Sequence, residues 1–169
     1  MSDVAGTVRA LYGDRGDTMS RIEAELRATG VDPMAPRYQD YYPFDQLHGV
    51  GIAATSDHAE RAGLKPGMAV LDLGCGIGGC SRYLTAERHC RVTGLDLTPE
   101  FIAIARELTR RCGLGDAIQF HEGNALALPF GAASFDHVWC HNVTMNIPDK
   151  KKLASEVARV LKPGGVILS

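Results

Sequence analysis

An apolar strand that runs straight into glycines constrains this chain more than any other feature. Val70-Leu71-Asp72-Leu73 is apolar on both sides of one acidic residue, and Gly74-Cys75-Gly76-Ile77-Gly78-Gly79 follows at once. Glycines let the backbone turn tightly and let a ligand approach with no side chain in the way. Such a turn, between a first strand and a helix, lies at the carboxyl end of the strand, where open α/β sheets bind their ligands. The plain alternative is a tight strand–helix turn that binds nothing.

The rest of the chain from residue 64 onward repeats this theme. Residues 68–73 predict a first strand, followed by a helix through Tyr83 and Leu84. Residues 91–96 predict a second strand. Thr98-Pro99-Glu100 then opens a helix with a hydroxyl at the N-cap and Pro at the first helical position. Ile102, Ala105 and Leu108 give that helix its apolar face, and Gly113 closes it. Residues 117–121 and 135–140 predict strands three and four. Residues 148–161 predict a helix with Leu153, Val157, Val160 and Leu161 inward. Lys162-Pro163-Gly164-Gly165 reads as a turn, and residues 166–168 start a fifth strand. Strands alternating with helices imply parallel pairing through right-handed crossovers. The expected fold class is α/β: an open, mostly parallel sheet with helices on both faces.

Upstream the character differs. Residues 1–16 show no period and are expected to form a loose arm. Met19, Ile22 and Leu26 set a helical spacing over residues 17–29, with Gly30 as its stop. Residues 31–43 hold three prolines and three tyrosines and are expected to be a loop. Residues 46–62 predict a second helix. The division expected is an N-terminal arm and helical cap, 1–45, and a ligand-binding domain, 46–169.

Composition excludes several classes of partner. The chain has 169 residues, 45% of them hydrophobic and 22% charged, which suits one globular core. With 18 basic and 20 acidic residues the net charge is −2, so the basic excess of a general nucleic-acid binder is absent. No apolar run approaches the roughly 18–20 residues that span a membrane, and the first ten residues lack the apolar core of a signal peptide. Five cysteines, an odd number with no CxxC pair, fit a reducing cytoplasm better than a disulfide framework.

Two ligands compete for the glycine turn. Gly74, Gly76 and Gly79 satisfy GxGxxG, and Asp96 lies about 20 residues further on, as a dinucleotide site requires. Asp72 separates the two. A dinucleotide lays its diphosphate against the helix N-terminus, where a carboxylate two residues before the first glycine would repel it. The same carboxylate suits an ammonium group, directly or through water. S-adenosylmethionine carries an ammonium and a sulfonium and no phosphate. Asp96, at the end of the second strand, can accept both ribose hydroxyls in either ligand.

The motifs resemble those of the class I, Rossmann-like S-adenosylmethionine-dependent methyltransferases. Asp72-Leu73-Gly74-Cys75-Gly76-Ile77-Gly78 is similar to their first motif and Gly94-Leu95-Asp96-Leu97-Thr98 to their second. Gly123-Asn124-Ala125, Leu128-Pro129-Phe130 and Ser134-Phe135-Asp136 resemble the third motif and the run into strand four. Arg159-Val160-Leu161-Lys162-Pro163-Gly164-Gly165 resembles the turn before strand five. Upstream, Asp45-Gln46-Leu47-His48-Gly49-Val50-Gly51 with Ala54-Thr55 is similar to the small-molecule branch that includes sarcosine/dimethylglycine, phosphoethanolamine and sterol methyltransferases.

The resemblance implies roles at single positions. Gly74, Gly76 and Gly78 would line the methionine part of the cofactor, with Cys75 as a small residue that fits the loop. Asp96 would hold the ribose and Leu97 would pack on the adenine. Asn124, beside Ala125, would face the adenine amino group where the family usually has Asp; an amide oxygen still accepts a hydrogen bond, without charge assistance. Leu47 and His48 would close over the methionine end. His141 and Asn142 would touch the cofactor and face the substrate. Asn146 stands where phosphoethanolamine enzymes carry His, and Asn cannot act as a base, which argues against a mechanism of that type.

The expected function is therefore methyl transfer from S-adenosylmethionine to a small-molecule acceptor by in-line displacement. Alignment is the enzyme's main task, and a base is needed only for an acceptor that is protonated at neutral pH. His141 and His48 are the candidates. His137, His141 and Cys140 do not make the three or four ligands a metal needs, so no metal is expected. Lys150, Lys151 and Lys152 are expected to be a solvated face. The family carries two further strands beside strand five that are missing here, so the domain is expected to be incomplete at its C-terminus: either strand five is an apolar edge that a second copy or a partner covers, or the chain is a fragment of a longer protein. The alternative is a fragment or binding module that binds the cofactor and transfers nothing; a nicotinamide-dependent oxidoreductase is a third reading.

Overall fold

The structure, a computed structural model, describes residues 18–46 and 51–169. Five strands form one parallel sheet in the order β3-β2-β1-β4-β5. They are β1 (Ala69–Leu73), β2 (Arg91–Asp96), β3 (Ile118–Glu122), β4 (Phe135–Trp139) and β5 (Leu161–Leu168). The helices are α1 (Thr18–Ala28), α2 (Tyr42–Asp45), α3 (Ile52–Arg61), α4 (Gly79–Arg88), α5 (Pro99–Arg111) and α6 (Lys150–Val160). The architecture is the expected α/β, Rossmann-like one.

Two cores sandwich the sheet, because successive side chains of a buried strand point to opposite faces. Val70, Val92, Ile118, Phe120 and Trp139 pack on one face with Ala59 of α3, Tyr83 and Leu84 of α4, and Ile102 and Ala105 of α5. Leu71, Leu73, Leu95 and Val138 face the other way, onto Leu153, Val157 and Val160 of α6. The helices earn these places by spacing. In α5, Phe101, Ile102, Ala105, Leu108 and Thr109 are buried, and Arg110 and Arg111 remain at its last turn, where cations suit the dipole. A third cluster joins Ile22 and Leu26 of α1 and Tyr41 to Ile77, Phe101 and Leu108, so the N-terminal elements lie on the outer side of α5.

Several local expectations need correction. Residues 31–43 are not all loop: Tyr38–Tyr41 form a 3-10 turn that continues into α2, with Pro43 in the first turn of α2, where its missing N–H is harmless. The helix expected from residue 46 begins at Ile52, after Gly51 at φ 61°. Thr98 precedes α5, yet its side chain makes no capping bond; its backbone N–H donates to Asp96 Oδ1 at 2.9 Å. Lys162-Pro163-Gly164-Gly165 lies inside β5. Phe135 pairs with Leu161 and His137 with Val166, so Asp136 alone faces residues 162–165, a bulge with Gly164 at φ 79°. Lys162 closes it by an ion pair to Asp136 at 2.8 Å.

Candidate active site

The carboxyl ends of β1, β2 and β4 open into one cleft of about 390 Å³. This is the crevice that a sheet reversing its order between β1 and β4 creates. Asp72, next to last in β1, pairs across the sheet with Gly94 and Trp139. It is 2% exposed, and the Ser81 hydroxyl of α4 donates to its Oδ2 at 2.5 Å. Burial pushes its carboxyl up to about 6; the Ser81 bond works against that and the Asp96 charge adds to it.

After Asp72 the chain must turn sharply. Gly74 has φ 75° and its N–H donates to Leu95 O at 2.7 Å. A Cβ there would stand 2.2 Å from Cγ2 of Val143, so the glycine loop and the loop after β4 touch only because Gly74 has no side chain. The Gly76 N–H donates to Asp96 Oδ2 at 2.9 Å. Asp96 thus holds the turn and α5's start together, using one oxygen for each. Burial raises its carboxyl, against backbone hydrogen bonds from Thr98, Gly76 and Leu97.

The cleft gathers most of the residues singled out from sequence. Asp72, Gly74, Cys75 and Gly76 line it from β1, and Asp96 and Leu97 from β2. Asn124 and Ala125 come from the loop after β3, and His141 and Asn142 from the loop after β4. Gly78 does not line it: it is the left-handed N-cap of α4 and faces Phe120 and Arg82. Leu47 and His48 lie outside the described residues. Asn124 Oδ1 accepts the Leu126 N–H at 2.9 Å, which fixes the amide's orientation and leaves that oxygen one further lone pair. The Cys75 thiol is buried, and burial pushes it well up, which suits a packing role.

Other residues in and around the cleft have no binding role assigned from the sequence, although Asp45, Gln46 and Thr55 lie in the upstream motif. Asp45 lines it from α2 and is bonded to Arg82 of α4 at 2.9 Å, with both side chains buried. Gln46 donates to Asp45 Oδ1 and accepts from the Thr55 hydroxyl. Phe101, Val143 and Ile147 supply apolar wall. His58 of α3 packs on His141, with ring centroids 4.7 Å apart, and Trp139 lies edge-on to both. Lys150 is not a solvated cation: its ammonium donates to the carbonyls of Thr144 and Ile147 and ties down the loop that carries Asn146. Among the described residues no three His, Cys, Asp or Glu side chains converge as a metal site, and no helix is long and apolar enough to cross a membrane.

Comparison with known proteins supplies the family. Residues 71–169 match the profile described as "Methyltransferase domain". Methyltransferase GfsG of Streptomyces halstedii is 32% identical over 154 residues, covering 89% of this chain and 54% of that protein. The 2-methyl-6-phytyl-1,4-hydroquinone methyltransferase of a Synechocystis strain is 42% identical over 105 residues, covering 62% of this chain and 32% of that one. Among solved structures, phosphoethanolamine N-methyltransferase 2 of Haemonchus contortus, in complex with S-adenosyl-L-methionine, matches with TM-score 0.67 and 34% identity, over 73% of this chain and 29% of that one. The chain spans about half the length of GfsG and about a third of the other two. With a strand-end carboxylate, a glycine turn and a second strand-end carboxylate meeting in one cleft, and a profile covering more than half its length, this chain belongs to the methyltransferase-domain family.

Proposed function

We propose that the cleft binds S-adenosylmethionine and that the protein transfers its methyl group to a small-molecule acceptor, with residues 1–45 as cap and 46–169 as the transfer domain. One observation carries the reading: Asp72, buried at the end of β1, has a hydroxyl and no cation as its side-chain hydrogen-bond partner among the described residues. A carboxylate in that position is completed by an ammonium group and opposed by a diphosphate, which disfavours a nicotinamide dinucleotide.

The sulfonium of S-adenosylmethionine brings an already activated methyl. The protein's own residues then have limited tasks. Asp72 takes the ammonium. Asp96 keeps Gly76 and Thr98 with one lone pair of each oxygen and offers the others to the ribose hydroxyls. Leu97 and Phe101 flank the base, and Asn124 Oδ1 accepts from its amino group. His141 and Asn142 face the acceptor, and His141 is the residue suited to take a proton from it; Leu47 and His48 would close over the methionine end. The apolar wall keeps water from the reacting carbon. Five free thiols suit a reducing cytoplasm, and the exposed edge of β5 suits a covering subunit.

Calorimetric titration of the chain with S-adenosylmethionine, and separately with NADH, tests this reading. Micromolar binding of the first alone is expected, and Asp96→Ala should weaken it by about 100-fold, the loss of two charge-assisted hydrogen bonds. NADH binding, or an unchanged affinity in the variant, would overturn it. A radiolabel assay for methyl transfer separates an enzyme from a chain that only binds.

A further inference from the structure

Three aromatic rings meet where β4 runs out into the cleft. Trp139, the last residue of β4, is fully buried and pairs with Asp72 of β1 on one side and Leu168 of β5 on the other. His141 stands two residues further on, which sends its side chain to the same side of the chain as Trp139. The two rings touch edge to face, with centroids 6.1 Å apart and planes at 79°. The backbone around His141 is held at both ends: the Cys140 N–H donates to Leu168 O at 2.9 Å, and Asn142 turns the chain at φ 57°. The third ring comes from a helix remote in sequence. His58 lies near the face of α3 that buries Thr55 and Ala59, and Ala59 shares a core with Trp139. Its ring centroid is 4.7 Å from that of His141, with planes at 53°, and 6.3 Å from that of Trp139, at 61°. The Nδ1 of His58 is buried and has no hydrogen-bond partner among the described residues. His141 lines the cleft and His58 does not.

From this we infer that His58 is a positioning residue: together with Trp139 it confines the His141 imidazole to one orientation at the wall of the cleft. The inference rests on the reading of His141 as the residue that takes a proton from the acceptor, and it names what holds that ring. A histidine on the rim of a cleft otherwise samples several staggered rotamers. Proton transfer needs donor and acceptor atoms within about 2.6–3.2 Å, so most of those rotamers are unproductive. Trp139 closes off one side of the ring and cannot yield, because it is enclosed in the sheet between β1 and β5. His58 closes off the side toward α3. Aromatic rings packed edge to face or tilted, as these are, resist sliding past one another. The entropy of fixing the His141 side chain is then lost once, on folding, and not again at each turnover. The arrangement also gives α3, which places none of its residues in the cleft wall, a part in the chemistry there.

The test is nuclear magnetic resonance of the ligand-free chain with 13C-labelled histidine rings, the His141 signal being identified by its loss in His141→Gln. The wild type should show a single His141 Cδ2–Hδ2 cross-peak, displaced from its random-coil position by the two neighbouring rings. His58→Ala should move that cross-peak toward the random-coil position as the ring begins to sample other rotamers. His58→Gln, which keeps a long side chain and removes the ring, should do the same and serves if the alanine variant does not fold. His58→Phe, which restores a flat ring, should return the cross-peak toward its wild-type position. Backbone amide cross-peaks away from α3 and the end of β4 should stay in place in every folded variant, which a role in holding the fold together would not allow. A His141 cross-peak unmoved in the folded ring-less variants, no recovery in His58→Phe, or shifts spread across the whole sheet overturns the inference. Titrating the wild type with S-adenosylmethionine tests the cofactor reading separately: failure to bind counts against that reading alone, since the ring signals are read without ligand.

Discussion

His137 sits on the Trp139 side of β4, 2% exposed, and neither ring nitrogen has a hydrogen-bond partner among the described residues. Burial lowers its pKa. An unpaired buried polar group costs about 1–3 kcal/mol, so His137→Leu should raise stability by about 1 kcal/mol in urea denaturation at pH 7.5. As pH falls below 6.5, the ordinary value, the unfolded histidine gains a proton before the buried one does. The wild type should therefore lose stability there relative to the variant. Asp72 has the opposite consequence for ligand binding. Its carboxyl, held at about 6, must be ionised to meet an ammonium, so affinity for S-adenosylmethionine should fall about tenfold per pH unit below 6. Asp72→Asn should flatten that profile and bind about tenfold more weakly at pH 7.5. Without ligand the carboxylate's charge is a burden on the fold: stability present below pH 3.8 is lost as pH rises through about 6. Asp72 and Asp96 were legible in the sequence because strand ends beside a glycine turn dictate what a carboxylate there can reach. His58 was not, because nothing local to α3 says that it meets a side chain from the loop after β4.

At the scale of elements, the attachment of α2 to α4 stands out. Arg82 reaches Asp45 at 2.9 Å and the Thr109 hydroxyl at 3.0 Å, and lies over the Tyr41 ring at 5.3 Å. Removing one member of such a pair leaves a buried charge alone. Asp45→Ala should cost about 3–5 kcal/mol, whereas the double change Asp45→Leu with Arg82→Met should recover most of it, as chemical denaturation would measure. The backbone is as tight: a Cβ on Gly79 would meet Asp45 O at 2.3 Å and Gln46 Nε2 at 2.7 Å, so Gly79→Ala should detach α2. Helices α5 and α6 were predictable because their buried faces recur at helical spacing. The short turns at residues 38–45 were not: three prolines within residues 31–43 imply loop, and the ion pair that stabilises α2 joins residues distant in sequence. The bulge in β5 was half legible: its glycines announced a turn, but only pairing with β4 makes the flanking residues strand.

On the scale of the molecule, the sheet order β3-β2-β1-β4-β5 leaves β5 at an edge. Val166 and Ile167 are 50% and 45% exposed there. In the 169-residue chain such an apolar edge invites pairing with another copy, so Ile167→Lys should reduce concentration-dependent association of that chain in sedimentation velocity while leaving S-adenosylmethionine affinity unchanged. The order itself was legible only as a parallel α/β sheet, since alternation of strands and helices fixes direction and leaves neighbours open. The placement of β4 against β1 also divides labour along the chain. Everything proposed to hold the cofactor's base and sugar precedes residue 127, and the wall proposed for the acceptor follows residue 140, held at its far end by Lys150. A protein engineer could therefore exchange the eight residues 141–148 as a cassette, keeping the proposed nucleoside grip in place while altering which acceptor the proposed transfer takes.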